Sequence, residues 1–156
     1  METINPADEP KDTREDYEKI SQAKSGARWF FWIAALSLVN SLVIHFGGNF
    51  NFVVGLAFTK IADTFVFQMS GGTNGLSAVK IIALSVDVII AGVFALLGLF
   101  ASRLQMWAFI VGMVLYALDG GLAVLFGDFL SAAFHAFALV MIFLGVMAAR
   151  KLNSGE

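Results

Sequence analysis

Four stretches of this chain, Trp29–Phe46, Ile81–Ala101, Leu104–Phe126 and Phe129–Ala149, contain no lysine or arginine and at most one acidic residue each. A helix needs about 20 mainly apolar residues to cross a hydrocarbon layer of about 30 Å, and each stretch comes close to or exceeds that length. Lipid cannot satisfy backbone N–H and C=O groups, so a spanning segment must bond internally as a helix or close into a barrel. Barrel strands would alternate polar and apolar residues over about 10 positions, which these stretches do not. The expected fold class is all-α transmembrane: an antiparallel four-helix membrane bundle, with an additional amphipathic helix lying at the interface after the first span.

Charge distribution points the same way. Charged residues make up 14 % of the chain, against roughly a quarter in a soluble domain, and the mean hydropathy is +0.79. Of the 22 charges (10 basic, 12 acidic), twelve fall in residues 1–28. Residues 1–27 therefore read as a charged, largely disordered cytoplasmic tail, with Ile4, Tyr17 and Ile20 too few to bury a core and room for a short helix between Asp12 and Gln22. Residues 28–151 form the transmembrane domain, and 152–156 a C-terminal tail. The apolar run starts at Trp29, too late for the apolar region of a cleaved signal peptide, so the first span is expected to be retained.

Segment Asn51–Met69 departs from the pattern because Lys60 and Asp63 interrupt it. Thr59, Lys60, Asp63, Thr64 and Gln68 recur at helical spacing as one narrow polar stripe, which suits an interfacial helix carrying Lys60 and Asp63 as a pair. The rival is a fifth span with that pair inside the bundle. Basic residues choose between them. With four spans and a cytoplasmic N-terminus, Arg28, Arg103, Arg150 and Lys151 all face the cytoplasm, and Trp29, Trp32 and Trp107 collect at that interface; five spans would leave Arg150 and Lys151 outside. Lys80 dissents, but its long stem can snorkel to the headgroups. The location expected is the plasma membrane, multi-pass, with both termini cytoplasmic.

Inside the spans sit Asn40, His45, Asp87, Asp119 and His135. An acid near the middle of a span costs about 2.5–3.5 kcal/mol on insertion scales and needs a partner or a wet cavity. At about 1.5 Å rise per residue, Asp87, Asp119 and His135 lie about 10–14 Å below the outer surface, and Asn40 about 12 Å below it. The four, Asn40, Asp87, Asp119 and His135, are thus expected to form one intramembrane polar layer. Helical faces agree: Asp87 aligns with Ala83, Ala91, Ala95 and Gly98, His135 with Ser131, Ala132 and Ala138, and Asp119 with Gly112, Tyr116 and Ala123. As a packing device, Asp119 bonds His135 while Asn40 caps Asp87. As a functional device, the same carboxylates and imidazole handle a proton or cation.

Several chemistries are excluded or unsupported. No cysteine means no disulfide, thiol nucleophile or thiolate metal site. A metal held by two carboxylates and a histidine lacks a spacing motif, and His45 with His135 is the minimum set for a haem, so neither metal nor cofactor is expected. Nucleophile elbows, phosphate-binding glycine loops and zinc-protease helices do not occur, and no enzyme activity is expected. Basic and acidic residues interleave in the tail, leaving no nucleic-acid footprint. Small residues cluster on faces Ala91/Ala95/Gly98, Ala132/Ala136 and Gly145/Ala149, more than one bundle interior needs. The expected role is therefore a structural or accessory subunit, or a homo-oligomer, whose partners are the bilayer and other membrane subunits. The alternative is a transporter or channel for protons, cations or a small polar solute through the Asp/His layer.

Overall fold

The computed structural model describes residues 11–45, 56, 57, 68 and 78–154. Four helices are described: α1 (Lys11–His45), α2 (Ala78–Ser102), α3 (Met106–Leu125) and α4 (Phe129–Ser154). Each is long and apolar enough to cross a membrane. α1 packs on α2 and α4, and α3 packs on the same two helices, so the four close into a ring around a shared core. The interfacial helix expected at 51–69 falls almost wholly outside the described residues, as do Lys60 and Asp63. Of that segment, Leu56 and Ala57 are buried and Gln68 is exposed.

The outside of this ring is apolar and its inside carries the polar groups. Ile89, Leu118, Leu125 and Leu130 are each about two-thirds exposed or more, while Ser37, Asn40, Ser41, Asp87, Asp119, Ser131 and His135 are all buried. Water would reverse that arrangement, because exposed aliphatic area is unfavourable and buried acids are costly. A hydrocarbon solvent rewards it.

Two tight turns set the register of the last three helices. α2 ends with Gln105 N–H bonding back to Phe100 O, which places Leu104 in the left-handed region at φ 61. This is a Schellman ending without its usual glycine, and the Trp107 indole donates to the Gln105 amide oxygen at 2.8 Å to hold the next helix start. α3 ends in the same way with the favoured residue: Asp128 N–H bonds Ala123 O at 2.9 Å, and Gly127 takes φ 74. Asp128 then caps α4, its carboxylate accepting the Ser131 N–H at 3.1 Å. This turn fixes how α3 and α4 face each other, and so brings Asp119 to His135.

Two features differ from the expectation. First, the boundary expected near Arg28 is no break in the backbone: α1 runs 35 residues, about 52 Å at the standard rise, from the charged segment into the span. Ala23, Gly26 and Ala27 in the stretch read as tail are buried, because α1 crosses α4 there. Second, two of the three small-residue faces expected to serve assembly are used inside the chain. Gly26 and Gly145 lie backbone to backbone, so that a Cβ on Gly26 would sit 2.6 Å from Gly145 Cα. Ala91, Gly98 and Ala149 are buried as well, Gly98 against the rings of Phe30 and Phe31, and Ala95 is half-buried. Close approach of two helices needs small residues on both, and the α1–α4 crossing supplies them from one chain. Of the three expected faces, Ala136 is exposed and Ala95 and Ala132 are half-buried.

Candidate functional site

Asp119 of α3 and His135 of α4 meet inside the bundle, with His135 Nε2 2.8 Å from Asp119 Oδ2. Asp119 lies nine residues before Asp128 and His135 seven after it, so the turn folds the two helices into contact at this level. Gly120 makes room: a Cβ there would stand 2.9 Å from His135 Cβ. The imidazole is held on three sides. Its Nδ1 lies 2.7 Å from Ser131 O, one turn earlier on α4. Tyr116 stacks on its face, ring centres 4.4 Å apart and planes inclined 20°. A contact that sequence reasoning missed completes the carboxylate side, where the Ala57 backbone N–H donates to Asp119 Oδ2 at 2.7 Å. No pattern in the sequence marks a backbone amide from residues before α2 as a partner of α3.

Hydrogen-bond bookkeeping fixes the proton count. A carbonyl oxygen can only accept, so His135 Nδ1 carries a proton and donates it to Ser131 O. The Nε2–Oδ2 contact then needs one more proton between its two atoms. That proton sits on Nε2, giving imidazolium and carboxylate, or on Oδ2, giving neutral imidazole and carboxylic acid. Both forms are neutral overall, which suits a dry interior. Without it, the Nε2 lone pair faces a carboxylate oxygen and the pair carries a net negative charge. Asp119 and His135 therefore hold one proton jointly, in a pair 6 % and 2 % exposed at the side chains.

Rings close one end of this site. Tyr116 packs edge-on against Phe94 at 6.1 Å, Phe94 against Phe30 at 6.5 Å, and Phe30 against Phe109 at 6.2 Å. Phe30 is seated in a socket on α3, where a Cβ at Gly112 would lie 2.4 Å from its ring. These rings fill the bundle between the dyad and the end where Arg103 joins α2 to α3.

Asp87 and Asn40 are buried, as expected, each 1 % exposed. Among the described residues, Asn40 Oδ1 accepts no hydrogen bond. Ser37 and Ser41 of α1 are fully buried and were not singled out in the sequence; Ser37 lies three residues before Asn40, and Ser41 lies one turn after Ser37 on that serine's face. The His45 side chain lies outside the described residues. Among those described, no group of three or more His, Cys, Asp or Glu could hold a metal.

Among the described residues, fold and site together define a class: four helices with an apolar exterior and a buried aspartate–histidine dyad. No protein-family model, curated protein or solved structure matches the chain.

Proposed function

We propose that the chain is a multi-pass plasma-membrane protein, an antiparallel four-helix bundle, that passes protons through the Asp119–His135 dyad. One observation carries it: Nδ1 is committed to Ser131 O, which leaves a single proton shared between Nε2 and Oδ2. An imidazole exchanges protons near neutral pH, and intramembrane acids and histidines recur in proton relays. Asp87, Asn40, Ser37 and Ser41 are further polar groups buried in the bundle, and the rings of Tyr116, Phe94 and Phe30 pack in series beside the dyad. The test is a pH-sensitive dye trapped in liposomes, with a potential imposed across the membrane. Wild type should carry protons above the empty-liposome rate, and Asp119→Asn should remove at least nine-tenths of that excess. Asparagine cannot satisfy His135 Nε2 and the Ala57 N–H at one atom, so about 1–2 kcal/mol of stability should go with it. Equal flux from the variant sinks the reading.

The second reading, an accessory subunit or a homo-oligomer, draws support from the outward aspect of Ala132 and Ala136. It has less to rest on than the sequence suggests, since Gly145 and Ala149 pack within the chain. Enzyme activity and nucleic-acid partners have no feature in their favour.

The orientation has both termini in the cytoplasm. Support comes from the sense of the α1–α4 contacts: Gly26 meets Gly145, while Trp29, further along α1, meets Phe137 and Phe134, further back along α4. Helices running in opposite senses bring the two ends to one side, and an odd number of spans would not. A cysteine placed at Ser70, Ser154 or Thr3 in this cysteine-free chain reports the sidedness through an impermeant thiol reagent on intact cells. Ser70 should label, and Thr3 and Ser154 should stay protected until the membrane is opened. Labelling at Ser154 with protection at Thr3 would mean five spans.

A further inference from the structure

An apolar groove of about 350 Å³ runs between α3 and α4, lined by Met113, Val114 and Ala117 of α3 and Leu139, Val140 and Phe143 of α4. Val114, Ala117, Val140 and Phe143 are exposed, so its mouth opens on the outside of the bundle.

Both helices carry the face of this groove on toward one end. On α4, Leu139, Phe143 and Arg150 share a face, and so do Val140, Leu144 and Lys151, each trio at spacings of four and seven. On α3, Ala117, Val114 and Trp107 do the same at spacings of three and seven. Arg150, Lys151 and Trp107 are all exposed. At about 1.5 Å per residue, Arg150 stands about 10 Å beyond Phe143, and Trp107 about 10 Å beyond Val114. From Leu139 to Arg150 is about 16 Å, close to one leaflet of a hydrocarbon layer about 30 Å thick. The groove therefore runs from mid-membrane toward a basic pair at headgroup depth, and a tryptophan beside it suits that depth.

We infer that this groove seats an acyl chain of an anionic phospholipid, whose phosphate Arg150 and Lys151 hold. Charge complementarity selects the occupant. A guanidinium donates two parallel hydrogen bonds to phosphate oxygens, and a neighbouring ammonium adds a second positive charge. Basic pockets between membrane helices hold anionic headgroups in this way. A zwitterionic lipid would fill the groove as well, but would bring a cation of its own to two others. An uncharged apolar molecule would leave the basic pair unaddressed.

The charges around the seat favour an anion. α3 and α4 together carry one acid, Asp119, which is buried inside the bundle. Among the described residues, Arg150 and Lys151 form no ion pair. The acids of α1, Asp12, Glu15, Asp16 and Glu18, belong to a helix that meets α4 at Gly145. Phe143 and Gly145, two positions apart, lie on opposite sides of α4, so Arg150 is on the side turned away from α1. Arg103, three residues before the start of α3, is exposed and adds a positive charge at this end. Nothing in this seat involves the Asp119–His135 dyad, so the lipid seat and the proton reading stand or fall separately.

The experiment titrates purified full-length protein in mild detergent with phosphatidylglycerol and with phosphatidylcholine of the same acyl chains, and counts bound lipids by native mass spectrometry. The first phosphatidylglycerol should bind about twentyfold tighter than the first phosphatidylcholine, each basic residue contributing a factor of about five. Arg150→Gln combined with Lys151→Gln should abolish most of that preference. Ala117→Trp, which fills the groove from its wall, should weaken both lipids. Lys24→Gln combined with Arg28→Gln removes as much charge from α1 and should leave the preference unchanged. All five positions are exposed, so each variant should fold. Glycerophosphoglycerol, the headgroup without chains, should not displace the lipid. Equal affinity of wild type for the two lipids overturns the inference with no variant needed. So does a preference that survives the α4 pair or is lost equally with the α1 pair, displacement by the bare headgroup, or a lipid-free dimer occupying the groove.

Discussion

Replacing Gly145 with leucine, or Gly26 with leucine, should cost about 3 kcal/mol or more and leave little folded protein in mild detergent. The reason is geometric. A Cβ on Gly145 would lie 2.7 Å from Gly26 Cα, and one on Gly26 2.6 Å from Gly145 Cα, both below any normal carbon contact. The obstructing atoms are backbone on both sides, so no side chain can swing away, and α1 must part from α4. The separation would also uncover Ala23, Ala27, Ala148 and Ala149, which the crossing buries. Gly92→Ala is the control, because a Cβ there meets nothing within 4 Å; it should be neutral or slightly stabilising, alanine being the better helix former. Stability is read by denaturant titration of the reconstituted protein with a helix-content probe. A folded Gly145→Leu protein that merely runs at a different size would return this face to assembly and refute the intramolecular crossing.

The second large effect is at the dyad. Asp119→Leu removes a partner from two buried groups at once, His135 Nε2 and the Ala57 N–H, and should destabilise by about 3 kcal/mol. Adding His135→Leu should cost little more, because the imidazole that the first change stranded is gone. The coupling energy from the full cycle decides how special the pair is. Side-chain hydrogen bonds between membrane helices average about 0.6 kcal/mol by such cycles and reach about 1.7. Asp119 and His135 should fall at the upper end, since Ser131 O and Tyr116 fix the imidazole before it meets the carboxylate and little ordering remains to be done. Strictly additive losses would mean that the two do not interact.

Much of this was legible along the chain. Helix ends for α2, α3 and α4 fall within a few residues of the expected spans, except that α4 continues to Ser154, because a run of apolar residues without breakers is a local property. The faces were legible too. Ala83, Asp87, Ala91 and Gly98 are buried together, as are Gly112, Tyr116, Asp119 and Ala123, and Ser131, His135 and Ala138, since the helical period alone puts them on one side. Asp119 with His135 followed from depth, because a short turn between two helices ties equal distances from the turn to equal heights.

What the sequence by itself determined, then, is which segments are helical, which face of each is polar, and that water is the wrong solvent for the outside. These follow from composition and periodicity, which each helix carries alone. Tertiary structure decided which faces meet. Gly26 in a Ser-Gly-Ala stretch reads as the end of a tail, and becomes a helix crossing only because Gly145 lies opposite it on another helix. The Gly145/Ala149 face, legible as an invitation to a partner, finds that partner in α1. The Ala57 amide reaches Asp119 across 62 positions of sequence through a backbone group that every residue possesses, so no residue type could have announced it. Contacts of this kind depend on how closely two helices approach and at what height, and that distance is set jointly by side chains far apart in the chain.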